Sequence, residues 1–245
     1  MKFKVLYKNQ NQMKAIKLLS SKTFRQQGLL LVFTGFCFSI LLLRAKITHS
    51  IFYFFLVWNL FLAFTPFAIT TLMTKRVQFL ERKALFYPCF ICWLLLLPNA
   101  PYIITDFIHL GQKLTVPMWF DVLLLISFAI TGLLFGITSM KAMHKMLILK
   151  FSIRTAEIAM AAICFLSGFG VYLGRVLRYN SWDVLHRPFE LIGDIVYSLV
   201  DHDSWRTAWG ITLGFGTLLY LLYSLSRQAS LPAHLQKKGE LETGN

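Results

Sequence analysis

Six long apolar stretches, separated by short polar segments, dominate the pattern of the chain. Each is close to the roughly 20 residues that a helix needs to cross the hydrocarbon core of a bilayer, where a helix satisfies its own backbone groups. The stretches are Thr23–Leu43, Ile51–Met73, Leu80–Leu97, Val122–Met140, Thr155–Leu173 and Trp205–Leu225. The pattern therefore predicts an all-α fold, a polytopic transmembrane helix bundle of about six spans.

The composition supports a membrane protein and excludes some other classes. The chain has 245 residues, of which 56% are hydrophobic and only 15% are charged, whereas soluble domains average about a quarter charged residues. In such a chain a net charge of +14 indicates topology signals and contact with anionic lipid, and not a nucleic-acid-binding protein. The predicted partners are the lipid bilayer and, at the basic N-terminal tail, anionic lipids; the pattern names no protein partner.

The distribution of Lys and Arg predicts which way the bundle faces. If the N-terminus lies inside, 18 of the 25 basic residues fall on the inner side and seven on the outer side. This bias places both termini in the cytoplasm and predicts a multi-pass protein of the plasma membrane. The chain then divides into a basic cytoplasmic tail (residues 1–22), the transmembrane bundle (residues 23–226) and a polar cytoplasmic tail (residues 227–245).

The stretch "LLLLPNAPYIITDFIHL" interrupts the third apolar run with Pro98 and Pro101. Because proline lacks an N–H and clashes with the preceding turn, we expect the helix to end near Leu97. A second short helix from Pro101 to Leu110 would follow, with Asn99 as its N-cap and Gly111 as its stop. At about ten residues it is too short to span, so it is expected to lie in the outer interface or to re-enter the membrane.

The stretch "GRVLRYNSWDVLHRP" forms a second polar element on the predicted outer side. Arg175 and Arg178 leave span five on one helical face, and Pro188 suits the start of an amphipathic helix that is too short to span. That helix is expected to lie flat at the outer surface. Pro188 also disfavours regular helix over residues 183–187.

Polar side chains from these elements share the predicted outer side and define a candidate polar site. Arginines there would hold an anionic headgroup, since guanidinium groups bind phosphate and carboxylate in a fixed geometry. No residue pattern assigns a catalytic role. The candidate site comprises Asn99, Tyr102, Asp106, His109, Asp121, Arg175, Arg178, Asn180 and Asp183.

A D-x-x-H spacing occurs twice, at Asp106/His109 and at Asp183/His186. Carboxylate and imidazole ligands suit a divalent metal such as Zn²⁺ or Mn²⁺, so these four residues are candidate metal ligands. No complete metalloenzyme motif accompanies them. The alternative interpretation is that they cap helix ends and pair with neighbouring arginines, and the cofactor question stays open.

Small-x-x-x-small glycine pairs occur in the last three spans, at Gly132/Gly136, Gly170/Gly174 and Gly210/Gly214. Such pairs allow helix backbones to approach closely in lipid. The pairs predict that spans four, five and six form one tight sub-bundle.

The blocks "LPNAPYIITDFIHL" and "GRVLRYNSWD", taken together, resemble a bacterial family of membrane proteins known as domain of unknown function 1361. The positions that carry the resemblance are Asn99, Pro101, Tyr102, Asp106 and His109 in the first block, and Gly174, Arg175, Asn180, Ser181, Trp182 and Asp183 in the second. The resemblance implies a multi-pass bacterial membrane protein, and it implies no activity, substrate or catalytic residue.

Three functions remain open from the sequence. The first is a ligand-binding or transport-related protein, because broken helices and membrane charges mark ligand sites. The second is an enzyme acting on lipid-linked or cell-envelope substrates, metal-dependent if the D-x-x-H pairs bind an ion. The third is a structural or accessory protein whose polar residues seal one end of the bundle.

Overall fold

A computed structural model gives the architecture of the chain. It describes residues 23–76, 78–111, 116–181, 183–200 and 204–229. The predicted basic tail, most of the predicted C-terminal tail, Lys113, Trp182 and the DHD sequence at 201–203 lie outside the described residues.

Six helices are long and apolar enough to cross a membrane, which confirms the predicted all-α polytopic bundle. Within the described residues there is no β-strand. The spans are Gln27–Thr48, Phe52–Lys75, Lys83–His109, Met118–Lys150, Ile153–Arg175 and Ser204–Gln228. We call them span one to span six; the helix of span one begins at Thr23, and span two opens with a 3₁₀ turn at Phe52–Phe54.

Three short helices connect or flank the spans. They are Gln78–Glu81 between spans two and three, and Asp183–His186 and Pro188–Val200 between spans five and six. The helical turn at Asp183–His186 corrects the expectation that Pro188 prevents regular structure there. Because Pro188 opens the next helix, the preceding turn is intact, and Arg187 N donates to Asp183 O at 2.8 Å.

Spans one and four are longer than their apolar stretches indicate. The helix of span one continues from the predicted end at Leu43 to Thr48, and that of span four continues past Met140 to Lys150. A helix satisfies its backbone groups internally, so it does not have to stop where the hydrophobic residues stop. The extension of span one places Arg44 on a helix inside the bundle.

Span four is the central helix of the bundle. In an apolar stretch of 18 residues within span four, 61% of the residues are buried, whereas the corresponding share in the other five spans is 28–44%. Two hydrophobic clusters lie along it: one packs around Phe128 with spans one and two, and the other packs around Met143 with spans three, five and six. The remaining faces of the outer spans are apolar and exposed, as lipid-facing surfaces are.

The helix Lys83–Leu96 ends where the prolines predict, near Leu97, and shorter helical elements follow within span three. Backbone dihedrals stay in the right-handed helical region at Leu97, Pro98 and Ile103. Helix Lys83–Leu96 continues through the turn Asn99–Tyr102 into the 3₁₀ helix Ile103–His109. Both prolines lie at the start of the new turn, where a missing N–H leaves no helical bond unmade.

Residues 99–109 therefore form the predicted short helical segment, as a turn of α-helix and a 3₁₀ helix that continue span three. Asn99 is not an N-cap, because its Nδ2 donates back to Leu96 O at 2.8 Å. Gly111 does end the element, as predicted, with a φ of 80° that favours glycine.

Four glycines of the small-x-x-x-small pairs pack against residues 98–103, which we call the proline segment. A Cβ on Gly136 would lie 2.6 Å from Ala100 Cβ, and one on Gly132 would lie 2.6 Å from Ile103 Cδ1. On the other side, a Cβ on Gly170 would overlap the ring of Pro98, and Gly174 faces Tyr102. The glycines of spans four and five thus admit the proline segment between the two helices.

The predicted role of the glycine pairs is wrong for span six. Gly210 and Gly214 have no neighbouring heavy atom within 4 Å of a built Cβ. Spans five and six do pack closely, but through Gly168, which faces the Thr212 carbonyl, and Gly216, which faces Phe165. Spacing alone does not reveal which side of a helix meets a neighbour, and this explains the error.

Candidate functional site

Two buried acidic groups, each paired with an arginine, mark one end of the bundle, which we call the polar end. It is formed by the end of span one, the start of span two, the end of span three, the start of span four and the end of span five. The opposite end carries the basic residues of the connections between spans two and three and between spans four and five, and we call it the basic end.

The first pair joins the two blocks that the sequence singled out. Arg175 Nη2 lies 2.8 Å from Asp106 Oδ1, and Arg175 Nε donates to Thr105 Oγ1 at 2.8 Å. The guanidinium also lies 4.8 Å from the centre of the Tyr102 ring, within cation–π range. These contacts fix the orientation of the Arg175 side chain.

This pair is open to the surroundings on one side. The side chain of Asp106 is 2% exposed, whereas that of Arg175 is 22% exposed. Asn59 of span two donates to the second carboxylate oxygen of Asp106 at 2.7 Å, so both oxygens of the acid are occupied. The sequence analysis missed Asn59, although a lone amide in a transmembrane span is a recognisable signal.

The second pair is sealed inside the bundle. Arg44 Nε lies 2.6 Å from Asp121 Oδ1 and Arg44 Nη2 lies 3.2 Å from Asp121 Oδ2, with the two side chains 1% and 4% exposed. The guanidinium lies 4.2 Å from the centre of the Tyr53 ring, and Tyr53 OH donates to Asp121 Oδ2 at 3.4 Å. Arg44 Nη1 is buried without a hydrogen-bond partner.

Arg44 was not predicted as a site residue because the predicted span one ended at Leu43. Tyr53 was not predicted because it joins the site through its contacts with Arg44 and Asp121. Had the helix been continued over the next apolar positions, an arginine inside a span would have indicated a buried acidic partner.

His109 contacts the sealed pair through its backbone. Its backbone carbonyl accepts from Tyr53 OH at 3.1 Å, and its ring packs edge-on against Phe55 with centroids 5.0 Å apart. Its Nδ1 is buried and has no hydrogen-bond partner. Because aromatic rings surround it, the His109 ring packs mainly against apolar neighbours.

The loop after span five packs against the end of span three. Asn99 Nδ2 lies 3.4 Å from Ser181 Oγ, and Ser181 Oγ donates to Leu95 O at 2.9 Å. The same loop holds Arg178 in the left-handed region, with a φ of 61°, and its side chain is exposed. A non-glycine residue in that conformation is uncommon and costs about 1–2 kcal/mol.

The carboxylates on this loop and on the following helix have local partners. Asp183 Oδ2 accepts from the backbone N–H of Asn180 at 2.6 Å, and Asp194 Oδ2 accepts from Tyr179 OH at 2.7 Å. The hydrogen bond to Asp194 raises the pKa of Tyr179 above its ordinary value, because the neutral phenol is the donor. Both contacts hold the loop in place.

The predicted metal ligands do not fit a metal centre among the described residues, which contain no group of three or more His, Cys, Asp or Glu side chains placed to hold an ion. Asp106 is occupied by Arg175 and Asn59, and Asp183 is occupied by a backbone N–H. The D-x-x-H spacing reflects two unrelated local structures, one in the bundle and one on an exposed helical turn.

The comparisons with known proteins identify the family. The model of a protein family of unknown function, DUF1361, matches residues 58–222. The chain belongs to this family. The matched region contains the proline segment, Asn59, both acids of the two ion pairs and the loop with Arg178, while Arg44 and Tyr53 lie before it. No curated protein and no solved structure matches the chain.

Proposed function

We propose that this DUF1361 member is a membrane-embedded binding protein that holds an anionic group of a lipid or cell-envelope molecule at its polar end. Arg175 and Arg178 would be the contacts. The observation that carries the proposal is the open ion pair: Arg175 is oriented by Asp106 and Thr105, yet 22% of its side chain is exposed. A cation fixed in this way loses little conformational entropy when it binds an anion.

The strained backbone at Arg178 supports a binding role. Arg178 adopts a conformation that glycine or asparagine would adopt at lower cost. Strain of this kind points to function when it occurs beside other candidate residues. Its exposed guanidinium has no ion pair or hydrogen bond within the described part of the chain.

The acids around Arg178 are engaged elsewhere. Each described carboxylate of the polar end has a partner of its own: Asp106 and Asp121 pair with arginines, Asp183 and Asp194 accept hydrogen bonds on the loop, and Glu190 lies 3.8 Å from Arg187. Within the described residues, the charge of Arg178 is therefore not neutralised by a neighbouring acid. An external anion would supply the counter-charge for Arg178.

We further propose that the protein lies in a bacterial plasma membrane with both termini in the cytoplasm, so that the polar end faces outward. The excess of Lys and Arg on the predicted inner side supports this orientation. The ligand would then be reached from the outer leaflet or the cell envelope. Labelling of single cysteines tests it: an impermeant reagent added outside should modify a cysteine at Lys46 and should not modify one at Lys145.

The binding proposal is tested by separating the charge of Arg178 from its backbone. In the Arg178→Gly variant the left-handed conformation costs less, so the unliganded protein should be at least as stable as the wild type. Loss of one charge-assisted hydrogen-bonding group should weaken binding about 10- to 100-fold. Glycerol phosphate is the probe, and the thermal unfolding midpoint in neutral detergent is the readout.

Arg187→Gln is the matched control, because Arg187 is an exposed arginine of the same end that already lies near Glu190. A midpoint shift with glycerol phosphate that Arg178→Gly loses and Arg187→Gln keeps would support the proposal. If glycerol phosphate does not shift the wild-type midpoint, or if all three proteins respond equally, the polar end is a structural seal.

A further inference from the structure

We propose that the basic end carries a second, separate site, which binds an anionic phospholipid of the surrounding bilayer. Arg82, Lys83 and Arg154 would hold its phosphate around the fixed ammonium group of Lys150. The site does not depend on the ligand proposed for the polar end, since no residue is shared.

Lys150 ties the start of span three to the end of span four. Its Nζ donates to Leu80 O at 3.1 Å and lies 4.3 Å from the centre of the Phe86 ring. The Tyr87 ring is also within cation–π range, at 5.6 Å. Because Leu80 and Phe86 both contact Lys150, the residues between them in the chain are held beside it.

Arg82 and Lys83 lie in that held segment, and Arg154 lies four residues after Lys150, at the start of span five. All three side chains are exposed and have no ion pair or hydrogen bond within the described residues. The same is true of Lys75 and Arg76 at the end of span two.

The acids of the basic end do not neutralise this surface. The described acids there are Glu81 and Glu157, and Glu157 already pairs with Arg227 at 2.9 Å. Among the described residues, the five unpaired cations thus face at most one uncommitted carboxylate, that of Glu81. At the polar end, by contrast, each described carboxylate has a partner.

Apolar side chains adjoin the cations and indicate an amphiphilic occupant. Leu85 and Tyr87 are exposed beside Lys83, and Phe151 and Ile153 are exposed beside Arg154. A soluble anion would leave these four side chains without a contact, whereas a phospholipid places its phosphate on the cations and its acyl chains on the apolar residues. Clusters of Lys and Arg beside transmembrane helices bind anionic headgroups in this way.

The test measures which lipids stay bound. The full-length protein is reconstituted in mixed phosphatidylcholine and phosphatidylglycerol bilayers and extracted into neutral detergent, and native mass spectrometry identifies the retained lipid. We expect retained phosphatidylglycerol to exceed its share of the bilayer. The Arg82→Gln/Lys83→Gln/Arg154→Gln variant should lose this enrichment, by up to about fivefold for each cation removed at low ionic strength.

The matched control removes three exposed cations from the polar end, in the Lys46→Gln/Arg187→Gln/Arg206→Gln variant. It should retain phosphatidylglycerol as the wild type does, and so should Arg178→Gly, which separates this site from the one proposed at the polar end. Equal losses in the two triple variants would show general charge attraction and overturn the proposal.

A measurement on a protein with an intact basic end decides the question if the first triple variant fails to fold or inverts its topology. Phosphatidylglycerol added in detergent should raise the unfolding midpoint of Arg178→Gly, whereas phosphatidylethanolamine and phosphatidylcholine should not. Equal effects of the three lipids would overturn the proposal.

Discussion

The two buried ion pairs of the polar end use the same residue types and differ in what surrounds them. Arg44 and Asp121 are enclosed on all sides, with the Tyr53 ring against the guanidinium. Arg175 and Asp106 share the same kind of contact, but the arginine is partly exposed and its donors are divided between Asp106 and Thr105.

This difference separates a structural role from a candidate binding role. Charges removed from water are costly, and a sealed pair repays that cost only while both partners remain. Arg44 can reach nothing beyond the bundle, so its pair holds span one to span four. Arg175 keeps a path to an external partner, so the same chemistry is available for recognition.

The largest expected effect is the loss of one member of the sealed pair. Asp121→Asn keeps the shape of the side chain but leaves the Arg44 charge buried and uncompensated, so the free energy of unfolding should fall by about 3–5 kcal/mol. Unfolding in mixed micelles measures it. The Arg44→Met/Asp121→Leu double variant should recover most of the loss, and failure to recover would show that the pair does more than balance charge.

The open pair should be less sensitive to the same change. Asp106→Asn should cost about 2–3 kcal/mol, because Asn59 retains a partner and Arg175 can turn its charge towards water. The same unfolding measurement compares it directly with Asp121→Asn. A cost for Asp106→Asn that equals or exceeds the cost for Asp121→Asn would remove the distinction between the two pairs.

The proline segment positions the open pair and not the sealed one. Gly170→Ala would push a methyl group into the ring of Pro98 and should cost about 1–2 kcal/mol. Gly214→Ala is the control, since nothing lies within 4 Å of a Cβ there, and helix propensity should make it neutral or slightly stabilising. If both variants behave alike, the packing of the proline segment is not needed for stability.

The smallest expected change has the opposite sign. Arg178→Gly removes the cost of a left-handed arginine and should raise the free energy of unfolding by about 1 kcal/mol. Arg187→Gly should not be stabilising, because Arg187 does not have a left-handed backbone conformation. A destabilised Arg178→Gly variant would show that the Arg178 side chain has a structural contact of its own.

The spans could be predicted from the sequence because membrane-spanning length and apolar composition are local properties. The sequence placed the Pro98–His109 region and Arg175 in one candidate site. In the structure the two are joined by the ion pair between Asp106 and Arg175. The partners Asn59, Arg44 and Tyr53 could not be predicted, because they come from other spans and their contacts depend on helix rotation. For the same reason the glycine spacing misassigned Gly210 and Gly214, while Gly168 and Gly216, which carry the contact, escaped notice.

The proline break shows a second limit of sequence reasoning. A proline in the sequence shows that a backbone hydrogen-bond donor is missing, but it does not predict the direction of the chain after the break. Here the glycines of spans four and five leave room for the chain to continue, so the short helical elements after Pro98 follow on from the helix Lys83–Leu96.

The central claim is that the polar end is a binding site and not only a seal. The most direct test is the thermal shift that glycerol phosphate produces in wild type, Arg178→Gly and Arg187→Gln. We predict a shift in wild type and Arg187→Gln that is absent from Arg178→Gly, although Arg178→Gly is the most stable of the three without ligand. A shift of equal size in all three proteins, or in none, would contradict the claim.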